Sequence, residues 1–141
     1  MITATMGKLS REGRSFKTLI VEDNDAFRQA LIDLLRRHFP FLALDEARDG
    51  REARDKLGRC ETELVFMDIK LPDGNGLKLT ETFKRECPDL AVIILTSYDY
   101  PEYRQAARES GADHFVSKET VGEPSFLFTI QSTLDAITRH P

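Results

Sequence analysis

Apolar and polar positions follow two rhythms in this chain, and the switches between them mark its elements. Thr18-Leu19-Ile20-Val21 is apolar at consecutive positions and stops at Glu22-Asp23, after which Phe27, Leu31, Leu34 and Leu35 recur at helical spacing. A short strand therefore feeds a helix, which Asn24 or Asp25 can cap and which ends before Pro40. Phe41-Leu42-Ala43-Leu44 predicts a second strand, and Asp49 to Arg59 a short helix that Gly58 helps to stop. Leu64-Val65-Phe66-Met67-Asp68-Ile69 is apolar on both faces of an extended chain, as in a central strand covered on each side by helices. Leu71 to Gly76 carries turn chemistry, and Leu79 and Phe83 mark a third helix ending near Pro88. Ala91 to Thr96 is a further doubly buried strand, followed by a helix from about Pro101 to Ser110 and the stop Gly111. A fifth strand is expected over roughly Asp113 to Ser117, and Leu127, Ile130, Leu134 and Ile137 form the apolar stripe of a closing helix.

Five strands alternating with five helices select an α/β fold: a doubly wound, flavodoxin-like five-stranded parallel sheet with helices on both faces. The strand order that fits is 2-1-3-4-5, which sets strands one and three side by side at the switch point, with a crevice beyond the strand C-termini. Those termini carry Glu22 and Asp23 after strand one, Asp68 at the end of strand three, Thr96 after strand four and Lys118 after strand five. Residues remote in sequence are thus expected at one edge.

Composition narrows the class. A chain of 141 residues with 40% hydrophobic and 31% charged residues is one ordinary globular domain. Its net charge of −4 argues against a surface built for nucleic acid. No window approaches a membrane span, and Met1 to Ser15 lacks the apolar core of a secretion signal, so a cytoplasmic protein is expected. Residues 1–15 read as a flexible tail without a function, and 16–141 as the domain. Cys60 and Cys87 lie far apart without metal-type spacing and read as buried or half-buried thiols of a reducing compartment, not as a disulfide framework. His38, His114 and His140 share no ligand spacing. Tyr98, Tyr100 and Tyr103 read first as packing around the fourth helix.

Three carboxylates gathered at the edge of an apolar sheet repel one another, by about 4 kcal/mol per pair at ~4 Å and an effective dielectric of ~20. Lys118 can supply one positive charge and a divalent cation the rest. Oxygen ligands without His or Cys favour Mg²⁺ over Zn²⁺. A carboxylate, a hard cation, a hydroxyl and an ammonium make the inventory of phosphoryl transfer, with Asp68 as nucleophile and Thr96 and Lys118 stabilising charge on the phosphoryl oxygens. Asp68 stands apart, because an acid ending a doubly apolar strand is costly without a partner; singly the others mean little, since an acidic pair is usually a capping turn, as is Asp73 in its Gly-rich loop, and Thr96 and Lys118 would be surface residues. Their convergence is the signal.

Leu19-Ile20-Val21-Glu22-Asp23-Asn24, Val65 through Gly76, Ile94-Leu95-Thr96-Ser97 and Phe115-Val116-Ser117-Lys118 together resemble a response-regulator receiver domain of the chemotaxis-receiver type, over roughly residues 16–140. The resemblance implies that Asp68 takes a phosphoryl group from a sensor histidine kinase or phosphotransfer protein. It also implies that Asp23, Asp68 and the backbone carbonyl of Lys70 bind Mg²⁺ directly while Glu22 acts mainly through water. Thr96 and Lys118 match the family's phosphoryl-sensing pair and Phe115 its aromatic switch, which remodels the face of helix four, strand five and helix five toward a downstream protein or output domain. Glu119 stands where the family usually has Pro, which bears on the cis peptide often found there, and Phe115 replaces a frequent Tyr, so the switch has no hydroxyl. Lys70 and Tyr98 flank the pocket mouth and are expected to tune dephosphorylation. The stretch after Lys118 suffices for the closing helix alone, and Ser117-Lys118-Glu119 resembles receivers joined to helix-turn-helix output domains; a phosphorylation-dependent homodimer is left open.

Two other classes compete. A haloacid-dehalogenase-type phosphatase also uses Asp, Thr or Ser, Lys and Mg²⁺, but its nucleophile follows the first strand and a cap domain selects the substrate. A receiver-like scaffold that binds partners without phosphorylation is expected to have lost pocket residues, whereas all five are filled here.

Overall fold

A computed structural model describes residues 14–139. The elements run β1 (Phe16–Val21), α1 (Asp25–His38), β2 (Leu42–Ala47), α2 (Gly50–Leu57), β3 (Leu64–Met67), α3 (Gly76–Glu86), β4 (Ala91–Thr96), α4 (Pro101–Ser110), β5 (His114–Ser117) and α5 (Pro124–Thr138), with a 3₁₀ turn over Lys118–Thr120. The sheet is parallel and ordered β2-β1-β3-β4-β5, as expected.

The register explains why the inner strands carry no polar face. Leu19 pairs with Val65 and Val65 with Val92, while Val21 pairs with Met67 and Met67 with Ile94. These six residues cover one face, where they pack with Leu57 of α2, Phe83 of α3 and Ala107 of α4. The alternate residues Ile20, Leu64, Phe66, Ile93 and Leu95 cover the other and pack with Leu31, Ile32 and Leu35 of α1 and Phe126, Ile130 and Leu134 of α5. A period-two alternation with both phases apolar is what a sheet between two helical layers requires.

Local departures from the sequence reading have local causes. β2 runs on through Asp45-Glu46 to Ala47 because it is an edge strand, paired with β1 alone, where charged side chains face water and discourage further pairing. The turn after β3 contains a small antiparallel pair, Lys70–Leu71 with Gly74–Asn75, before Asn75 caps α3. In α5 the buried residues are Phe126, Ile130, Thr133 and Leu134, with Leu127 and Ile137 on the flanks of the stripe. Among the described residues there is no cis peptide, so Lys118-Glu119 is trans. No helix among them is long and apolar enough to cross a membrane. Most of the expected N-terminal tail, residues 1–13, and His140 lie outside the described residues.

The cysteines correct the sequence reading. Cys60 and Cys87 form a disulfide with Cα atoms 5.5 Å apart, and no free cysteine remains among the described residues. Their separation of 27 residues hides the contact. In a strand–helix unit the helix returns antiparallel to its strand, so the residue ahead of β3 and the residue closing α3 meet at the same end of the sheet.

Candidate functional site

The site forms where β1, β3, β4 and β5 end. The ladder continues one residue beyond β1 and β3: the amide of Glu22 donates to the Ala47 carbonyl at 2.9 Å and that of Asp68 to the Val21 carbonyl at 3.1 Å. This pins the two acids at adjacent strand ends. Glu22 and Asp68 are buried and Asp23 is exposed; one carboxylate oxygen from each lies within 4.8 Å of the others. An oxygen-only cluster with one open, solvent-facing member suits a hard divalent cation that keeps part of its water.

Lys118 enters from the 3₁₀ turn. Its Nζ lies 2.7 Å from Glu22 Oε1 and 3.1 Å from Asp68 Oδ2, and 4.6 Å from the centroid of the Phe27 ring. The second oxygen of Glu22, Oε2, accepts from the Asn24 amide at 3.0 Å. Burial pushes the Glu22 carboxyl above its ordinary range, with the Asp68 charge adding to the effect; the bond from Lys118 opposes it without cancelling it. Burial works against the charge on Lys118, but the bond to Glu22 and the charge of Asp68 outweigh it, so its ammonium is held more firmly than usual.

Thr96, the last residue of β4, is fully buried, and its Oγ1 accepts from the Tyr98 amide at 2.9 Å. Phe115 pairs in register with Ile94, so it shares a sheet face with Thr96 two residues further on. It is half-buried against the core under α2, α3 and α4, and the Arg104 guanidinium stands 4.8 Å from its ring centroid. Arg104 in turn donates to Asp99 at 2.7 Å. Lys70 Nζ lies 5.1 Å from the Tyr98 ring centroid, so the two residues expected at the pocket mouth touch each other. Tyr98, Tyr100 and Tyr103 cluster, with Tyr98 and Tyr100 exposed and Tyr103 half-buried against the core.

Four residues that shape the site escaped sequence reasoning or were read as turn chemistry. Arg28 of α1 donates to the Glu22 carbonyl at 2.8 Å, to Glu46 at 2.8 Å and to Asp25 at 2.6 Å, fixing the loop that bears the acidic pair to β2. The Arg28–Asp25 pairing at i, i+3 was the one visible hint. Phe27 forms a wall beside Lys118. At Gly76, a Cβ would stand 1.8 Å from the carbonyl oxygen of Asp68, so the start of α3 can approach the site only without a side chain. Asp73 accepts from the amides of Gly50 at 2.8 Å and Arg51 at 3.0 Å, tying the loop after β3 to the first turn of α2. Those amide bonds, Gly50 first, hold its carboxyl below the ordinary range.

A parallel sheet of this order with acids, a buried hydroxyl and a lysine at its strand ends is the architecture of a signalling receiver. The family model for the response regulator receiver domain matches residues 18–125, and the chain belongs to that family, whose general role is phosphoacceptance in two-component signalling. Among curated relatives, the chain is 33% identical over 106 residues to the DNA-binding transcriptional activator DevR/DosR of Mycobacterium tuberculosis, covering 75% of this chain and 49% of that protein. It is 30% identical over 120 residues to the chemotaxis protein CheY of Halobacterium salinarum, covering 85% and 98%. A CheY-like receiver domain protein from Methanospirillum hungatei superposes with a TM-score of 0.81 at 27% identity, covering 90% and 99%. The chain spans about half the length of several curated relatives it matches.

Proposed function

We propose that this chain is a phosphorylatable switch in which Asp68 accepts a phosphoryl group from a phosphohistidine on a sensor histidine kinase or phosphotransfer protein. The observation that carries the reading is the clustering of Glu22, Asp23 and Asp68 within 4.8 Å with Lys118 bonded to two of the three. The donor set fits Mg²⁺: Asp23, Asp68 and the Lys70 carbonyl would hold it, with Glu22 acting through water. When bound, the ion neutralises charge on the phosphoryl oxygens.

The chain's own residues account for the rest. The Asp68 carboxylate forms a bond to phosphorus as the bond to the donor imidazole nitrogen breaks, leaving an acyl phosphate. Lys118, already held against Asp68, balances charge on the transferred group. Thr96 donates its hydroxyl proton to a phosphoryl oxygen once its side chain leaves the Tyr98 amide. Phe115 then turns toward the space Thr96 vacates, giving up its stacking with Arg104, and the face of α4, β5 and α5 changes shape. That face would pass the signal to a downstream protein or to an output domain. The reading places the receiver unit at 16–141 and the chain in the cytoplasm, where its donors act.

Incubation with Mg²⁺ and acetyl phosphate followed by intact mass measurement tests this. Wild type should gain one phosphoryl group and Asp68→Asn none. A phosphatase of the haloacid-dehalogenase type is disfavoured because Asp68 follows β3 and not β1; steady turnover of a small phosphate ester would reverse that ranking.

A further inference from the structure

At the opposite end of the sheet from the acidic cluster, the Cys60–Cys87 bridge sits in a groove of about 580 Å³ that both cysteines line together with Lys84, Asp113, His114 and Ala136. Cys60 is exposed, on the connection from α2 to β3, whereas Cys87 is buried at the C-cap of α3. Cys87 is one of the buried members of the apolar layer under α2, α3 and α4, a place a thiol fills as well as a bridged sulfur, and the end of α3 has its own stop, the Cys87 amide donating to Phe83 at 2.7 Å and the Leu90 amide to Cys87 at 3.0 Å.

The connection itself is held in an unfavourable backbone shape. Gly58 has φ 59°, and Cys60 has φ 65°, the only positive φ outside glycine among the described residues. A cysteine gains nothing from that left-handed conformation unless its sulfur is tied, so opening the bridge lets the connection relax. A disulfide exposed at Cys60, whose buried partner Cys87 is also held by its helix stop and its apolar neighbours, belongs with the labile, exchangeable bonds.

We propose that Cys60–Cys87 is a reversible thiol–disulfide exchange site, opened by a dithiol protein that attacks through the groove at Cys60. A thiolate of the reductant forms a bond to the Cys60 sulfur as the bond to Cys87 breaks; Cys87 leaves as a thiolate and takes a proton. The second thiol of the reductant then attacks the mixed disulfide and releases Cys60. Two electrons pass to the chain, which ends as two thiols, and the reductant ends as a disulfide. Oxidised glutathione drives the reverse reaction. The closed segment contains β3, α3 and Asp68 between them, so the redox state sets how firmly that unit is held, independently of whether Asp68 is phosphorylated.

The test uses the full chain, oxidised with glutathione disulfide and then treated with thioredoxin, its reductase and NADPH in native buffer. Thiols are labelled with a maleimide under denaturing quench and counted by intact mass. The expected result is no adduct before reduction and two after it, with Tm falling by only a few degrees on reduction, because relaxation of the Cys60 backbone offsets much of the lost loop closure. Cys60→Ser should melt where the reduced wild type melts and should not respond to reductant. Two adducts after glutathione disulfide, a bridge that yields to thioredoxin only in denaturant, or a Cys60→Ser protein whose Tm still falls with reductant would each overturn the proposal. None of these outcomes involves phosphoryl uptake at Asp68, so the two readings fail separately.

Discussion

Asp73 is a surface carboxylate that acts on the site at one remove, because its two oxygens hold the first amides of α2 and so anchor the loop that follows Asp68. Its carboxyl is depressed below the ordinary value of 3.8. A depressed acid contributes stability that is fully present above its unfolded pKa and is lost as pH falls through the folded one. Wild type should therefore lose stability below about pH 3.8 more steeply than Asp73→Asn, which lacks that titration and is less stable at neutral pH; urea unfolding at stepped pH measures the difference. Lys70 and Tyr98, in contact with each other, are expected to act on a different property. Lys70→Ala and Tyr98→Ala should each change the lifetime of the phosphorylated form severalfold while leaving unfolding midpoints nearly unmoved. Unchanged lifetimes in both variants would remove the pair from the mechanism.

The loop between β3 and α3 shows how an element is placed by what it lacks. Gly76 lets the first turn of α3 rest against the Asp68 carbonyl, and its own amide donates to Ile69 at 2.7 Å. Gly76→Ala forces that turn away from the strand end, so we expect a loss of about 1–3 kcal/mol in unfolding free energy and slower phosphoryl uptake. Normal uptake in this variant would show that the loop tolerates displacement. Strands and helices were legible in the sequence because β3 is an unbroken apolar run, β1 and β4 hold apolar runs at Leu19–Val21 and Ala91–Leu95, and α4 is bracketed by Pro101 and Gly111. β2 reads short in the sequence because this edge strand ends in charged Asp45 and Glu46 before Ala47, which a hydrophobic pattern treats as its end. Arg28 and Gly76 were not legible as site residues, since their partners, the Glu22 and Asp68 carbonyls, are backbone atoms that no residue pattern encodes.

Across the whole molecule, the parallel topology converts sequence separation into proximity, and it does so at both ends of the sheet. At the C-terminal end Glu22, Asp23, Asp68 and Lys118 converge, with Thr96 closing the neighbouring strand β4, and this was legible because each lies at the end of a recognisable strand. At the other end the same geometry joins Cys60 to Cys87, a contact the sequence hides because neither spacing nor polarity marks the end of a helix opposite the start of its strand. Cation binding at one end should be readable as global stability: a ligand bound by the folded state alone adds about 2.7 kcal/mol at a hundredfold excess over its Kd. Mg²⁺ should raise the Tm of wild type and chelation reverse it, whereas Asp23→Asn, altered at an exposed residue, should fold but gain little from Mg²⁺.

Phosphoryl uptake is assigned to one side chain, the carboxylate of Asp68. Borohydride reduction of the acetyl phosphate-treated chain, followed by peptide mass mapping, tests it most directly, because an aspartyl phosphate is reduced to homoserine whereas a free carboxylate is untouched. Homoserine at position 68 and at no other acid is the predicted result. An intact Asp68, or homoserine at Asp23 in its place, would contradict it.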